Sequence, residues 1–206
     1  MLNLFIGSAG SCSLASHMAL EEAGANYKVS RLDFSKNEQK AEAYLKVNPK
    51  ARVPALITDK GTLTETPAIL LYIAQTHPKA NLAPLDDAFA LAKMQAFTSY
   101  LCSTMHPNHA HKMRGSRWSD EAQVVEALKI KVPQNMTDNF ALVENDYLVG
   151  PWVMGAQFTV ADIYLFILSG WMEGDGVDIS RFPRVIDHRA RVAARPATKS
   201  VLASYG

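Results

Sequence analysis

The chain reads as α/β plus all-α: a half of mixed strands and helices, then a helical bundle. Three observations predict this. Up to Ile73, short apolar runs bounded by Gly, Pro, Asn or Asp alternate with stretches of helical spacing. Beyond Asp87 the patterns are helical. Between the two lies His77–Asp87, HPKANLAPLDD, whose two prolines and two adjacent acids mark a linker and a helix start.

The elements follow in order. Leu2–Ile6 is an apolar strand, and Gly7-Ser8-Ala9-Gly10-Ser11 a loop of small residues. Cys12–Ala23 is helical, since Leu14, Met18 and Ala19 recur on one face and Gly24 is a natural stop. Tyr27–Leu32 is a second strand, and Glu38–Val47 a helix or irregular helix before Asn48-Pro49. Val53-Pro54 leads a strand through Ala55, Leu56 and Ile57. An X-Pro bond at a strand mouth suits a cis peptide, because proline cuts the trans preference to about 0.5–1 kcal/mol. An Asp59-Lys60-Gly61 turn, a strand at Thr62-Leu63-Thr64 and a helix Thr66–Thr76 complete β-α-β-α-β-β-α. That is the order of a thioredoxin-like domain.

The second half opens with one long helix, Ala88 to about Met105, bent by Pro107. Asp120 to about Val143 is another, with Pro133 as a kink or break. Thr159–Met172 is apolar nearly all round and therefore a buried central helix. Phe182–Ala194 and Ala197–Ser204 complete the bundle. The expected division is 1–78, a linker 79–87, and 88–206. Thr159 with Asp162 three positions on forms an Asp version of the capping box, and Phe158 with Ile163 a hydrophobic staple; this motif serves folding.

Composition excludes several classes. A net charge of +1 provides no general basic field for nucleic acid or membrane. The 48% hydrophobic content suffices for a core, and 20% charged residues argue against disorder. Two cysteines make no disulfide framework and point to a reducing compartment. MLNLFIGSAGSCSLASH lacks the positive start of a leader, and no run approaches the roughly 18 apolar residues of a membrane helix.

Asn48–Ile73, NPKARVPALITDKGTLTETPAILLYI, organises the chain. Pro54 holds Val53 extended. An extended residue outside a strand end offers its N–H and C=O to the backbone of a peptide-like ligand. Thr66, capping a helix that begins at Pro67, offers free N–H groups and positive dipole to a carboxylate. Cys12 begins a helix after a Gly/Ser loop, where dipole and N–H groups lower a thiol's pKa; a small core residue is the other reading. Ser11 and Ser13 flank it as hydrogen-bond donors to a thiolate or as caps. Cys102 and His106 share a helix face, with core packing the simpler account of Cys102. His106, His109 and His111 with Lys112, Arg114 and Arg117 form a basic cluster, read as a solvated face or the rim of a pocket for anionic substrates. A metal site there lacks a matching Cys or carboxylate set. Tyr100, Met105, Met113, Trp118 and Trp171 line an apolar pocket or belong to the core.

The strand-leading V-P-A-L, the E-T-P-A-I-L helix start and Ser11-Cys12-Ser13 resemble the glutathione S-transferase superfamily over the whole chain, its bacterial beta class above all. The resemblance implies a transferase that activates the glutathione thiol toward small hydrophobic electrophiles. Cys12, Ser13 and Ser11 would act at the sulfur. Val53-Pro54 would pair with the peptide backbone, Glu65 and Thr66 would grip the γ-glutamyl end, and Arg52 would reach the glycyl carboxylate. Lys36 is a weaker candidate of that kind. Cys102, His106 and Trp171 would line the second-substrate pocket. The beta class carries a His-Lys pair where this chain has Cys102-Ser103, leaving His106, one turn on, as a substitute. Ile6-Gly7-Ser8 excludes the tyrosine used by many members. Glutathione is expected as co-substrate, with no other cofactor, no metal, and no nucleic-acid or membrane partner. A cytoplasmic homodimer working in detoxification is the further expectation. Two alternatives stand: a glutathione-dependent thiol-disulfide reductase or peroxidase using Cys12 through a mixed disulfide, and a non-catalytic binding or adaptor protein of the same fold.

Overall fold

The computed structural model describes residues 1–205. Its sheet has four strands: β1 (Leu2–Ile6), β2 (Tyr27–Arg31), β3 (Ala55–Thr58) and β4 (Gly61–Thr64), in the order β2-β1-β3-β4. β2 lies parallel to β1, with Leu4 opposite Val29. β3 is antiparallel to both neighbours, Leu56 facing Leu4 on one side and Leu63 on the other. Parallel pairing of β1 and β2 requires a crossover, and α1 (Ser13–Glu22) supplies it. Leu4, Ile6 and Leu56 are fully buried against α1 and α3 (Thr66–Thr76).

The expected helix at Glu38–Val47 breaks up. It consists of a 3-10 turn at Glu38–Lys40, following another at Phe34–Lys36, and one helical turn, α2 (Glu42–Leu45). Ala41, between the second 3-10 turn and α2, is extended (φ −65°, ψ 144°), which interrupts the ladder inside the expected helix. α3 has the predicted span, but Glu65 occupies the cap position with φ 71° and Thr66 is the first helical residue. The Val53-Pro54 peptide is cis.

In the second half, the expected long helix runs on without a break. It comprises α4 (Ala88–Tyr100), a π-helical turn at Leu101–Met105, and α5 (His106–Arg114). Pro107 has no amide, and its ring would crowd the carbonyl four residues back. A π turn immediately before it absorbs the mismatch, with the His106 amide donating to Leu101 five residues back. α6 (Ala122–Leu142) likewise passes through Pro133 unbroken. Pro133 and Lys129, whose carbonyl loses its amide partner, both lie on the exposed side, where water can solvate that carbonyl. α7 (Val160–Ser169) buries every residue but Phe166. α8 (Pro183–Ala193) and α9 (Pro196–Ala203) close the bundle.

The capping box at α7 is present and reaches further than its motif. The fully buried Asp162 carboxylate accepts from the Thr159 amide at 2.8 Å and hydroxyl at 3.1 Å. It also accepts from the Val153 amide at 2.8 Å and lies 2.9 Å from His188 Nε2 on α8. One side chain therefore ties together a loop, a helix start and a second helix. α1 is enclosed in the same way: Ser13 to Leu20 are all buried, between sheet, α3, α7 and α9. The N-terminal end of this shared wall carries the candidate chemistry.

Candidate functional site

The site forms where the start of α1, the loop into β3 and the start of α3 meet. The Phe34 ring packs closely on the β1–α1 loop because Gly7 has no side chain; a Cβ there would meet that ring at 3.1 Å. The Gly7 amide donates to Ser13 Oγ at 3.0 Å, and the Ser11 and Ser13 hydroxyls are 2.5 Å apart. Ser13 is fully buried. Its hydroxyl closes the loop from inside, and that of Ser11 is committed to it. Of the three sequence candidates at the sulfur, Cys12 alone points to the meeting place, its thiol donating to the Val53 carbonyl at 3.5 Å.

The electrostatics of Cys12 reverse the expectation from its helix-start position. Burial pushes the thiol up to about 11, outweighing the downward pull of the Thr66 hydroxyl; the charge of Glu65 pushes the same way as burial. Desolvation of the thiolate exceeds what the helix start returns.

The loop into β3 is clamped by two residues that sequence reasoning missed. Tyr44 Oη donates to the Arg52 carbonyl at 2.6 Å, and Asn48 Nδ2 to the same oxygen at 2.7 Å. These bonds hold a loop in which Ala51 takes a left-handed φ of 54°. No signal in the sequence singles out Tyr44; Asn48 before proline is a turn signal, which the clamp explains. Val53 thus stands in a bend beside Cys12, and its N–H has no backbone partner among the described residues. Across the gap, α3 presents its first turn. Thr66 is buried, whereas Glu65 is exposed and its carboxylate is bound by Lys50 Nζ, which also donates to Thr64 Oγ1 at 2.7 Å. Lys50 is a further residue the sequence did not reveal, because its partner is set by the loop's course and not by spacing. Lys36 pairs instead with Asp33 on the surface, at 3.2 Å.

On the helical side, Cys102 lies in the π turn, partly buried, with its thiol pushed up by burial. His106 Nδ1 is 3.4 Å from Tyr164 Oη, and its ring centroid is 5.0 Å from that of Trp171. Burial, reinforced by His109, Arg117, Arg52 and Arg114, pushes His106 down to about 4. The Trp171 indole N–H donates to the Gly10 carbonyl at 2.9 Å, so this ring bridges the helical half to the Cys12 loop. Arg52, Arg114 and Arg117 are exposed and form no ion pair among the described residues, although all three bear on His106 and Arg114 on Cys12. His111 stacks edge-on to Trp118 and away from the Trp171 group. Among the described residues no three His, Cys, Asp or Glu side chains gather to hold a metal ion, and no helix is long and apolar enough to cross a membrane.

Comparison with known proteins adds four findings. Residues 2–75 match the family described as glutathione S-transferase, N-terminal domain. The chain is 30% identical to glutathione S-transferase GstA of Escherichia coli O157:H7, over 96% of each chain. A glutathione transferase homolog from Sulfitobacter, solved with bound glutathione, superposes with a TM-score of 0.95 at 42% identity, covering 99% of this chain and 98% of the other. A bacterial beta class glutathione S-transferase from Sphingomonas chungbukensis gives 0.85 at 35% identity, covering 99% and 98%.

Proposed function

The chain belongs to the glutathione S-transferase superfamily, and we propose that it joins the glutathione sulfur to a small electrophile. One observation carries this reading: the clamped Val53 edge and the open start of α3 face each other with the Cys12 thiol between them. In it, the peptide backbone of glutathione pairs with Val53. The γ-glutamyl carboxylate takes the Thr66 hydroxyl and the free N–H groups of α3. Glu65, held by Lys50, meets the ammonium, and Arg52 meets the glycyl carboxylate. The glutathione sulfur then lies against Cys12. It forms a bond to the electrophilic carbon as the leaving group departs, orientation by the site supplying most of the advantage.

Cys102, His106 and Trp171 border the space left for the electrophile. The unpaired Arg114 and Arg117 favour one that carries negative charge. The high pKa of Cys12 weighs against its acting as a nucleophile through a mixed disulfide, since the thiolate is the reactive form. We take 1–78 as the glutathione-binding domain, 79–87 as the linker and 88–206 as the electrophile-binding domain. We also read the protein as a cytoplasmic homodimer active in detoxification; its two free cysteines and the exposed Phe89 at the start of α4 agree with that.

Calorimetry with glutathione tests the reading on wild type, Thr66→Ala and Cys12→Ala. Saturable binding weakened about tenfold or more by Thr66→Ala, and largely kept by Cys12→Ala, supports it. No binding by the wild type sinks it.

A further inference from the structure

A thiol must lose its proton to attack, and the groups nearest Cys12 are poorly suited to take it. Ser11 and Ser13 are bonded to each other. Glu65 is engaged by Lys50. His106 is held neutral and weakly basic by burial. One arrangement on the helical side differs from all of these. His109 Nδ1 is 2.7 Å from Asp175 Oδ2, with the Asp175 side chain 1% exposed and that of His109 27% exposed. The other Asp175 oxygen is buried and without a partner among the described residues. The His109 ring lies flat on Trp171, centroids 4.0 Å apart and planes 16° apart. Trp171 in turn binds the carbonyl of Gly10, two residues before Cys12.

A buried carboxylate on Nδ1 fixes the imidazole tautomer, leaves the Nε2 lone pair free, and stabilises the imidazolium that forms on protonation. The Trp171 stack keeps the ring on the side of the helical half that touches the Cys12 loop. The titratable and charged groups around it are the neutral His106 on its own helix, Asp175 on the turn after α7, and the guanidinium groups of Arg52, Arg114 and Arg117 that bear on His106.

We propose that His109 is the base that removes the glutathione thiol proton, with Asp175 as its positioning residue. The inference rests on the glutathione reading above. Nε2 accepts the S–H proton, directly or through one water. The sulfur electron pair forms the bond to the electrophilic carbon, the carbon–leaving-group bond breaks, and the anion departs. The imidazolium then returns its proton to solvent, so glutathione and electrophile yield thioether, anion and proton.

The test is conjugation of glutathione to chlorodinitrobenzene across a pH range, with glutathione binding measured beside it. His109→Phe keeps an aromatic ring on Trp171 but has no base. Its kcat at neutral pH should fall about 100-fold with glutathione affinity unchanged. The deficit should close as pH rises past about 8.5, where a thiol ionises unaided. His109→Ala should recover rate with added imidazole, and Asp175→Asn should lie between. Were the deficit in His109→Phe uniform across pH, or absent, with no imidazole rescue of His109→Ala, His109 would be structural and the inference wrong. Failure of the wild type to bind glutathione would instead overturn the functional reading beneath it.

Discussion

Cys12 offers the sharpest test of the site's electrostatics. Burial raises its thiol from the ordinary 9.0 to about 11. At pH 7 a thiol ionising at about 11 is thiolate in about one molecule in ten thousand, against about one in a hundred at the ordinary value. Iodoacetamide consumes thiolate and spares thiol. In a Cys102→Ser background, alkylation of Cys12 at pH 7 should therefore run about a hundredfold slower than that of a simple peptide thiol. The rate should go on rising with pH to at least about 10 without a plateau. Replacing Thr66 by Val removes the hydroxyl that pulls the value down, and should slow the reaction further. A plateau below about pH 8 would refute the reasoning. It would mean that the helix start and Arg114 outweigh desolvation, and it would revive Cys12 as a nucleophile with a mixed-disulfide cycle.

Three further outcomes are expected. Asp162→Ala orphans the buried amides of Val153 and Thr159 and one face of His188; at about 1–3 kcal/mol for each such group, the urea-denaturation stability should fall by at least about 3 kcal/mol, and a loss below about 1 kcal/mol would contradict the network described. His106, pushed down to about 4, stays neutral in the folded chain where an unfolded one takes up a proton; this contribution to stability is intact above about pH 6.5 and is lost as pH falls toward 4, so proton NMR should show the ring untitrated at pH 5.5. Replacing Arg114 and Arg117 together by Gln should raise KM severalfold for a carboxylate-bearing electrophile and leave that for a neutral one unchanged. About 0.5 M salt should shrink the difference, and equal effects on both electrophiles would show that the two guanidinium groups read no charge.

The order of elements was legible because each carries a local signature: alternating or continuous apolar runs, a capping box at Thr159, a proline after Val53. The V-P and E-T-P segments stood out for the same reason, and the ligand edge proposed above is built on them. What escaped was whatever depends on the course of the chain in space. An extended Ala41 breaks a helix that composition alone would allow. Pro133 looks like a breaker, but its cost depends on whether the orphaned carbonyl faces water, which the sequence does not say. Ser13 sits beside a cysteine in the sequence yet faces the opposite way, toward Gly7. Tyr44, Lys50 and Asp175 act on residues 8, 15 and 66 positions away. Cys12 shows the same limit in energetic form: the helix-start position was readable, but the desolvation that overrides it comes from the loop and helix packed above.

The π turn at Leu101–Met105 has a consequence for how this site changes over evolutionary time. Such a turn contains one residue more than the α ladder requires. Deleting a single codon there would restore the ladder and leave α5 on nearly its present face, because the wide turn is what accommodates the extra residue. His106 and His109 would keep their orientation, and only the residues of the turn itself, Cys102 among them, would be re-aimed. A lineage can thus redirect the side chains of this one turn by losing or gaining one residue, with the helix beyond it undisturbed.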